Sequence, residues 1–355
     1  MRAVARVRTG AIAHNCARLR SELADGVALC AVVKADGYGH GAPQAARAAL
    51  DGGATWLAVA AAGEAAQLRD AGSDARLLVM GALSADELDV ALAADADIVA
   101  WRPEWLRDVL GDRPARVHVK LDTGMGRLGT RDPAEADAAA AQAGDRLTGL
   151  MTHFATADEL GDAFFGEQLE RFRAWAVPHK ERNGALVLHA ANSAGTLRDA
   201  SAHFDMVRCG IAIYGMDPFG DDPATRGLEP AMELRSYVAE VKPVAPGESA
   251  GYGRRFIAER DTRIATIPVG YGDGFRRGLT NRARVMIAGR PYPLVGTVSM
   301  DNVTADVGPD GAVRPGDAAV LLGEGILAEE LARALDTINY EITCGFTARV
   351  PRVYE

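Results

Sequence analysis

The sequence predicts an α/β protein in which an N-terminal, TIM-like (β/α)8 barrel is followed by a C-terminal, mainly β-stranded domain. Eight short apolar runs recur through the first two thirds of the chain. Stretches rich in Ala, Arg and Glu, which favour helix, separate these runs. Beyond residue 228 the pattern changes to alternating apolar and polar residues between glycine and proline clusters, which is typical of turn-linked strands.

The eight apolar runs are mostly continuous, as expected for parallel strands buried on both faces. In chain order they are ALCAVVKA (28–35), WLAVAA (56–61), RLLVMG (76–81), DIVA (97–100), RVHVKLD (116–122), LTGLMTHF (147–154), ALVLHAA (185–191) and DMVRCGIAIYG (205–215). Eight strand–helix units favour a closed barrel. The alternative is a doubly wound open sheet, which usually carries GxGxxG after its first strand, where this chain has KADGYGHG.

The C-terminal part of the chain has the short strands and intervening turn-forming clusters that are typical of a β-domain. Its candidate strands lie in ELRSYVAEVKPV, RIATIPVGYGDG, RARVMIAGRPYPLVG, SMDNVTADVG and DAAVLLG. One helix is predicted over 327–335. We therefore expect two domains, a barrel over 1–228 and a β-domain over 229–355.

Composition excludes several classes of protein. A chain of 355 residues that is 48% hydrophobic and 25% charged folds into a globular structure. A net charge of -9 disfavours nucleic-acid binding, and no apolar run is long enough to cross a membrane. The four cysteines are widely spaced without a CxxC pair, so no metal site is expected and Cys30 and Cys209 are interpreted as packing residues. Without a secretory signal, the expected location is the cytoplasm.

Lysine is rare in this chain. Of 39 basic residues only Lys34, Lys120, Lys180 and Lys242 are lysines. Only lysine can lose its proton and act as an amine, and a desolvated lysine can form a Schiff base with a carbonyl. Lys34 and Lys120 both end predicted barrel strands. For Lys34 the alternative interpretation is a lysine that snorkels to the barrel rim.

Basic and polar side chains accumulate at the predicted carboxyl ends of the strands, which form the active site of this kind of barrel. The basic ones are Lys34, Lys120, His153, His189 and Arg208. The loops after strands seven and eight contain Ser193 and Gly210-Ile211, whose hydroxyl and N–H groups suit a phosphate. A Schiff-base lysine beside a phosphate cradle indicates pyridoxal 5′-phosphate (PLP) as cofactor.

Nine segments resemble one known family. They are AVVKADGYGHG, KLDTGMGRLG, THFATAD, HAANSAG, MVRCGIAIYG, SAGYGRRF, GYGDGF, GTVSMDNVTADV and INYEITCGFTARVPRVY. In their order and in their sequences these segments closely resemble the alanine racemases, over almost the whole chain. The resemblance implies a PLP-dependent isomerase that interconverts L-alanine and D-alanine, supplies D-alanine for peptidoglycan, and works as a homodimer with shared active sites.

The resemblance also implies roles for individual residues. Lys34 matches the lysine that binds PLP and acts as base on D-alanine, and Tyr252 matches the tyrosine that reaches in from the other subunit and acts on L-alanine. Such a pair suits racemisation, because one base serves each face of the α-carbon. His153 and His189 match a network that joins this tyrosine to Arg208, which faces the pyridine nitrogen of PLP.

The remaining matches concern binding. Tyr38, Ser193, Gly210, Ile211 and Tyr340 match phosphate contacts; Arg127 and the backbone of Met300 match contacts to the substrate carboxylate; Tyr271 and Asp301 match residues at the substrate entrance. Lys120 matches a lysine that is carbamylated in some members and helps to position Arg127. For Lys120 the alternative is an ordinary surface pair with Asp122.

Three other functions compete with this interpretation. One is a racemase of broader amino-acid specificity, since pocket shape alone separates similar side chains. Another is a PLP-dependent amino-acid decarboxylase of related fold, although none of its motifs is present. A non-enzymatic PLP-binding barrel would lack the segment 229–355 with Tyr252, Met300 and Tyr340. Whether D-alanine is made or degraded in the cell is left open by the sequence.

Overall fold

The computed structural model describes residues 2–355, which form two compact units. One unit is the continuous segment Ile12–Phe219, and the other joins the N-terminal segment up to Ala11 to Gly220–Glu355. The chain begins with strand β1 (Val4–Val7) and helix α1 (Thr9–Arg20).

Eight parallel strands form the barrel of the continuous unit, as the sequence predicted. They are β2 (Ala28–Val32), β3 (Trp56–Val59), β4 (Arg76–Val79), β5 (Ala96–Ala100), β6 (Val117–Lys120), β7 (Leu147–Met151), β8 (Val187–His189) and β9 (Met206–Cys209). The sheet has the order β8-β7-β6-β5-β4-β3-β2-β9. Backbone hydrogen bonds from Asp205 to Leu188 (3.0 Å) and from Arg208 to Ala191 (2.9 Å) join its two edges. The predicted (β/α)8 architecture is therefore confirmed.

Helical segments follow the strands and cover the barrel. They are α2 (Lys34–Tyr38), α3 (Ala42–Asp51), α4 (Ala62–Asp70), α5 (Ala85–Ala93), α6 (Pro103–Trp105), α7 (Pro133–Ala143), α8 (Phe164–Arg182) and α9 (Ser193–Arg198). Buried alanines, such as those of α3 and α7, let the helices approach the sheet closely. Helix α5 starts at a capping box in which Ser84 and Glu87 each bond to the other's backbone N–H.

The short segment α2 is a left-handed helical turn. Ala35, Asp36 and Tyr38 have φ angles of 51°, 52° and 53°, which cost roughly 1–2 kcal/mol for each such residue. The Asp36 carboxylate accepts the N–H of Ala42 at 2.9 Å, and Glu64 accepts the N–H of Ala35 at 2.6 Å. Strained backbone of this kind concentrates at functional sites, and here it fixes the chain directly after Lys34.

None of the helices described over residues 2–355, including the 19-residue α8, combines the length and apolarity needed to cross a bilayer.

The second unit is mainly β-stranded, as predicted. Its elements are β10 (Met232–Tyr237), β11 (Glu240–Val244), β12 (Ser249–Ala250), β13 (Phe256–Ile257), β14 (Thr262–Ile267), β15 (Arg284–Ile287), β16 (Arg290–Pro293), β17 (Val303–Asp306), β18 (Ala318–Leu322), α10 (Ala328–Leu335), α11 (Asn339–Cys344) and β19 (Arg352–Tyr354). A six-stranded sheet has the order β16-β15-β18-β10-β1-β19, and β11-β14-β17 form a three-stranded sheet. Helix α10 coincides with the helix predicted over 327–335.

Strand β1 explains why this second unit is discontinuous in sequence. Val4 pairs with Arg235 in antiparallel β10, and Ala5 pairs with Arg352 in parallel β19. The sequence division placed the first eleven residues with the barrel, whereas the structure groups them with the β-stranded unit. A four-residue strand with only two buried side chains, Ala5 and Val7, is too short a pattern to reveal its partners.

Candidate active site

The carboxyl ends of the barrel strands bring several cations together. Lys120, the last residue of β6, is only 4% exposed. Burial, followed by the charges of Arg208, Arg127 and Lys34, lowers the pKa of Lys120 to about 8. Lys34, Lys120, Arg127 and Arg208 therefore share one electrostatic neighbourhood. The alternative of an ordinary surface pair with Asp122 is wrong, because the Lys120 amine is buried.

Arg208 in β9 is buried, and acceptors surround its guanidinium. Its Nη1 donates to His189 Nδ1 at 2.8 Å, and its Nη2 donates to the carbonyls of Thr152 and Ala190, both at 2.9 Å. His153 Nδ1 lies 3.3 Å from the same Nη2. Burial lowers the pKa of Arg208 to about 10, so the guanidinium keeps its proton at neutral pH. The site thus contains a fixed, well-oriented positive charge.

His153 follows β7 and faces the same cations. Burial, then Arg208 and Lys120, hold its pKa well below the ordinary value, so the imidazole is neutral near pH 7. Gln168 donates to the His153 carbonyl at 3.2 Å and accepts the N–H of Ala155 at 2.7 Å. This glutamine, which the sequence analysis did not single out, fixes the backbone that carries His153.

A cluster of donors lies after β8 and β9. The hydroxyl of Ser193 accepts the N–H groups of Gly210 at 3.0 Å and Ala212 at 3.3 Å. A Cβ added at Gly210 would lie 2.3 Å from the hydroxyl oxygen of Tyr38, so the missing side chain is what admits the tyrosine. The structure brings Tyr38, Ser193 and Gly210 together. Ile211 lies between Gly210 and Ala212 with its side chain buried, and the N–H of Ala212 joins the same cluster.

The loop after β6 carries Arg127. Asp122 accepts the backbone N–H groups of Gly124 at 3.1 Å and Gly126 at 3.0 Å, and Arg131 Nε lies 3.2 Å from the same carboxylate. Although burial opposes it, these donors hold the pKa of Asp122 below its ordinary value. Hydrogen bonds to the Asp122 carboxylate thus hold the loop together, and Arg127 is exposed at the tip of this loop.

Five of the predicted site residues belong to the β-stranded unit. Three of them are among its exposed large side chains: Tyr252 is 74%, Met300 51% and Tyr271 41% exposed. Thr297 Oγ1 donates to the Tyr252 carbonyl at 2.7 Å, and Arg349 donates to Asp301 at 2.6 Å. Tyr340, on α11, is half-buried. Tyr252, Met300 and Tyr271 are therefore all accessible at the surface of this unit.

Sequence reasoning missed two polar residues inside the barrel. His118 Nδ1 lies 2.8 Å from His189 Nε2, and His118 Nε2 lies 3.0 Å from Asp97 Oδ2. All three side chains are fully buried. A signal was present, because Asp97 and His118 stand inside the apolar runs DIVA and RVHVKLD, where only apolar residues are expected.

The two cysteines interpreted as packing residues lie in the core, whereas Lys180 and Lys242 lie at the surface, away from the strand-end cluster. Cys30 and Cys209 are fully buried, and burial raises the pKa of each thiol to about 12. Lys242 is exposed, and Lys180 forms a partly exposed ion pair with Asp205 at 3.0 Å.

An amine, a buried arginine and a cluster of backbone N–H and hydroxyl groups at the carboxyl ends of the strands of a (β/α)8 barrel define a barrel enzyme of the PLP-dependent class. The family models "Alanine racemase, N-terminal domain" and "Alanine racemase, C-terminal domain" match residues 7–218 and 231–354. The chain therefore belongs to the alanine racemase family, which is PLP-dependent.

Individual alanine racemases match this chain over nearly the full length of both proteins. The alanine racemase of Thermobifida fusca is 44% identical over 370 aligned positions, covering 99% of this chain and 98% of the relative. The crystal structures of alanine racemase from D-cycloserine-producing Streptomyces lavendulae and of the biosynthetic enzyme from Pseudomonas aeruginosa each give a TM-score of 0.92 at 39% identity. Both matches cover 100% of this chain, with 97% and 100% of the respective structures.

Proposed function

We propose that this protein interconverts L-alanine and D-alanine, with PLP as its cofactor and with Lys34 and Tyr252 as the two bases. The observation that carries the proposal is the shared strand-end face on which Lys34, the buried Arg208 and the donors around Ser193 are combined. Family membership supports the reaction, and these residues supply its chemistry.

The residues fit the cofactor at both of its ends. PLP has a phosphate, and the N–H groups of Gly210 and Ala212 converge on the Ser193 hydroxyl, with the Tyr38 hydroxyl nearby. A side chain at position 210 would fill this space, so the glycine is required. When bound, PLP supplies an electron sink that makes the α-proton of an amino acid removable.

Arg208 would donate to the ring nitrogen of the cofactor. Its guanidinium remains protonated at neutral pH and is a poor acid, so it can hold a hydrogen bond without giving up the proton. A ring nitrogen that stays unprotonated withdraws electrons less strongly, which suits a racemase because a short-lived carbanion limits side reactions.

The two bases would act on opposite faces of the substrate α-carbon. The amine of Lys34 would hold the cofactor covalently and exchange a proton on the face used by D-alanine. The phenol of Tyr252 would exchange a proton on the face used by L-alanine. Removal on one face and return on the other inverts the centre, and the reverse order inverts it back.

Tyr252 would serve the active site of a second subunit. Its side chain is 74% exposed, and it shares the β-stranded unit with the exposed Met300 and Tyr271. We infer a homodimer in which segment 229–355 of each chain completes the barrel site of its partner. Tyr271 and Asp301 would then line the entrance, and Tyr340 would contribute to the phosphate contacts.

The substrate carboxylate would bind Arg127 and the backbone of Met300. Arginine offers a planar fork that matches a carboxylate. Lys120 lies beside Arg127, and its lowered pKa leaves a substantial fraction of the amine neutral near pH 8. A neutral amine is the form that reacts with carbon dioxide, and the resulting carbamate would pair with Arg127.

We place the reaction in the cytoplasm and assign it to the supply of D-alanine for peptidoglycan. All four cysteines are free thiols, and Cys344 is exposed, which suits a reducing compartment. The Pseudomonas aeruginosa relative is described as biosynthetic, which supports a biosynthetic direction.

The test of the proposed function is direct. Purified, PLP-loaded protein is incubated with L-alanine and, separately, with D-alanine, and both enantiomers are measured by chiral chromatography. We expect both reactions to reach equal amounts of the two enantiomers, because mirror-image molecules have equal free energy. Failure to form D-alanine would contradict the proposal, and release of carbon dioxide from basic or diacidic amino acids would favour a decarboxylase.

A further inference from the structure

A chain of buried polar groups runs through the inside of the barrel. Arg208, His189, His118 and Asp97 are at most 3% exposed, and consecutive members lie 2.8, 2.8 and 3.0 Å apart. The interior of such a barrel is usually filled by branched apolar side chains. Four adjoining polar residues in that position therefore need an explanation.

The two ends of the chain determine where its protons lie. Arg208 can only donate, so the atom it meets, His189 Nδ1, must accept. His189 Nε2 then carries the proton and donates to His118 Nδ1, and His118 Nε2 donates to Asp97. Every contact is satisfied when both imidazoles are neutral. Burial lowers the pKa of both histidines, which favours the neutral rings.

Asp97 is held as an anion at the far end. Arg76 Nη2 donates to its carboxylate at 2.8 Å, and Arg116 donates to the other oxygen. Although burial opposes ionisation, the bonds from His118, Arg76 and Arg116 lower the pKa of Asp97 to about 2. A fixed acceptor thus faces His118 throughout the neutral pH range.

A glycine in the neighbouring strand β7 leaves space for the ring of His118. A Cβ added at Gly149 in β7 would lie 2.2 Å from His118 Nδ1 and 2.5 Å from its Cε1. These are atoms of a rigid ring that is bonded at both nitrogens, so the ring cannot move aside without breaking the chain of hydrogen bonds. Glycine at position 149 and histidine at position 118 form one structural unit.

Arg208 has no carboxylate partner among the ion pairs recorded for residues 2–355, although its charge is buried. The first carboxylate along its hydrogen-bonded chain is Asp97, beyond two imidazoles. We propose that Asp97 and His118 are positioning residues for racemisation: through His189 they fix the direction in which Arg208 donates and provide a remote counter-charge for it. This inference rests on the proposed function, in which Arg208 serves the cofactor.

The wild-type holoenzyme provides a test that requires no mutation. In protein labelled with ¹⁵N-histidine, the ring nitrogens report which one carries the proton. We expect neutral Nε2–H rings for both His118 and His189 from pH 6 to pH 8. An Nδ1–H ring at His189 would place a proton against the Arg208 donor and would overturn the inference.

Asp97→Asn is the informative variant. Arg76 and Arg116 donate to the two carboxylate oxygens, so the amide nitrogen of asparagine would face an arginine donor in either orientation. His118 would then lose its fixed anionic acceptor, and the proton position on both histidine rings would no longer be held in the direction that Arg208 requires. We expect kcat to fall roughly 10- to 100-fold, as when the orienting carboxylate of a catalytic histidine is neutralised, with little change in KM for alanine.

Asp95→Asn is the matched control. Asp95 also accepts from Arg116, at 2.8 Å, but its side chain is 75% exposed and outside the chain of buried groups. In Asp95→Asn we expect the protonation of the His118 and His189 rings and the value of kcat to equal those of the wild type. Wild-type ring spectra and kcat in Asp97→Asn would overturn the role of Asp97. A wild-type enzyme without racemase activity would instead overturn the proposed function, so the two failures are distinguishable.

Discussion

The Asp122 carboxylate accepts the backbone N–H of Gly126 with both of its oxygens, each at 3.0 Å. The same carboxylate accepts Gly124, so a buried anion organises the loop that ends at Arg127. Removal of this acceptor takes away the hydrogen bonds that hold the two glycine N–H groups in place, at a cost of about 0.5–1.5 kcal/mol for each. The position of the arginine is thus determined by a residue that has no chemical role itself.

Asp122→Ala should weaken the binding of substrate. The loop loses its central acceptor, Arg127 becomes mobile, and KM for alanine should rise about tenfold, which corresponds to roughly 1.4 kcal/mol. The effect on kcat should be smaller, since the bases are untouched. Steady-state kinetics in both directions would show this. Asp132→Ala is the control, because Asp132 caps α7 in the following segment and is exposed. An unchanged KM in Asp122→Ala would argue against this function of the loop.

Gly210→Ala should lower the affinity for PLP. The added methyl carbon would lie 2.3 Å from the Tyr38 hydroxyl and would displace that ring from the donors around Ser193. We expect the dissociation constant of PLP to rise at least tenfold in fluorescence titrations of the apoprotein. Gly63→Ala is the control, since a Cβ at this exposed helical position meets no atom within 4 Å. Equal PLP affinity in the two variants would contradict the assigned phosphate position.

Lys34→Ala should lose covalently bound cofactor. Without the amine, PLP can bind only through its phosphate and ring contacts, so the visible absorption of the protein-bound cofactor should change to that of free PLP, and dialysis should remove it. Racemase activity should fall by roughly 10²–10⁴-fold or more. Lys180→Ala removes a partly exposed lysine paired with Asp205 and should keep both absorption and activity. Cofactor retained through dialysis by Lys34→Ala would exclude Lys34 as the attachment point.

Lys120 should make stability depend on pH in the alkaline range. Its pKa is lowered by burial from 10.5 to about 8, so between these values the unfolded chain binds more protons than the folded one. Stability therefore rises with pH over this interval, and the cost of the buried ammonium, up to about 3 kcal/mol, is fully present below pH 8.

The corresponding experiment compares melting temperatures of the wild type and Lys120→Met from pH 7.5 to pH 10, in buffers freed of carbon dioxide so that Lys120 remains a free amine. We expect the melting temperature of the wild type to rise steadily relative to that of Lys120→Met as pH increases. Only the wild type loses a buried positive charge over this range. Lys242→Met controls for the general loss of a lysine, since Lys242 is exposed. A difference in melting temperature between Lys120→Met and the wild type that does not change with pH would show that burial does not destabilise the charged amine.

The barrel was predictable from sequence because each strand is a continuous apolar run, and the site followed because its polar residues stand at the ends of those runs. Strand β1 was not predictable, since its partners β10 and β19 lie more than two hundred residues away. Asp97 and His118 were overlooked because a polar residue inside an apolar run has meaning only when its partner on another strand is known. The sequence indicates that backbone N–H groups of the loop after β9 are free to bind, but the direction of each N–H, such as that of Ala212 toward Ser193, depends on the folded backbone.

Mixing two inactive variants should reveal which chain supplies Tyr252 to each active site. Lys34→Ala lacks one base and Tyr252→Phe lacks the other, so each homodimer should be nearly inactive. If the two bases of a site come from different chains, a mixed dimer contains one intact site: Lys34 from the Tyr252→Phe chain and Tyr252 from the Lys34→Ala chain. Unfolding and refolding an equimolar mixture should therefore restore about a quarter of the wild-type activity, because half of the dimers are mixed and each has one working site of two.

The same experiment excludes the alternative arrangement. If both bases of a site came from one chain, every site in the mixed dimer would lack one of them, and no activity would return. Refolding each variant alone under the same conditions controls for residual activity, and refolded wild type sets the scale. Recovery that falls when one variant is in large excess, in proportion to the fraction of mixed dimers, would distinguish subunit exchange from contamination by active enzyme. Absence of any recovery, with wild type refolding normally, would place Tyr252 and Lys34 of each site in the same chain.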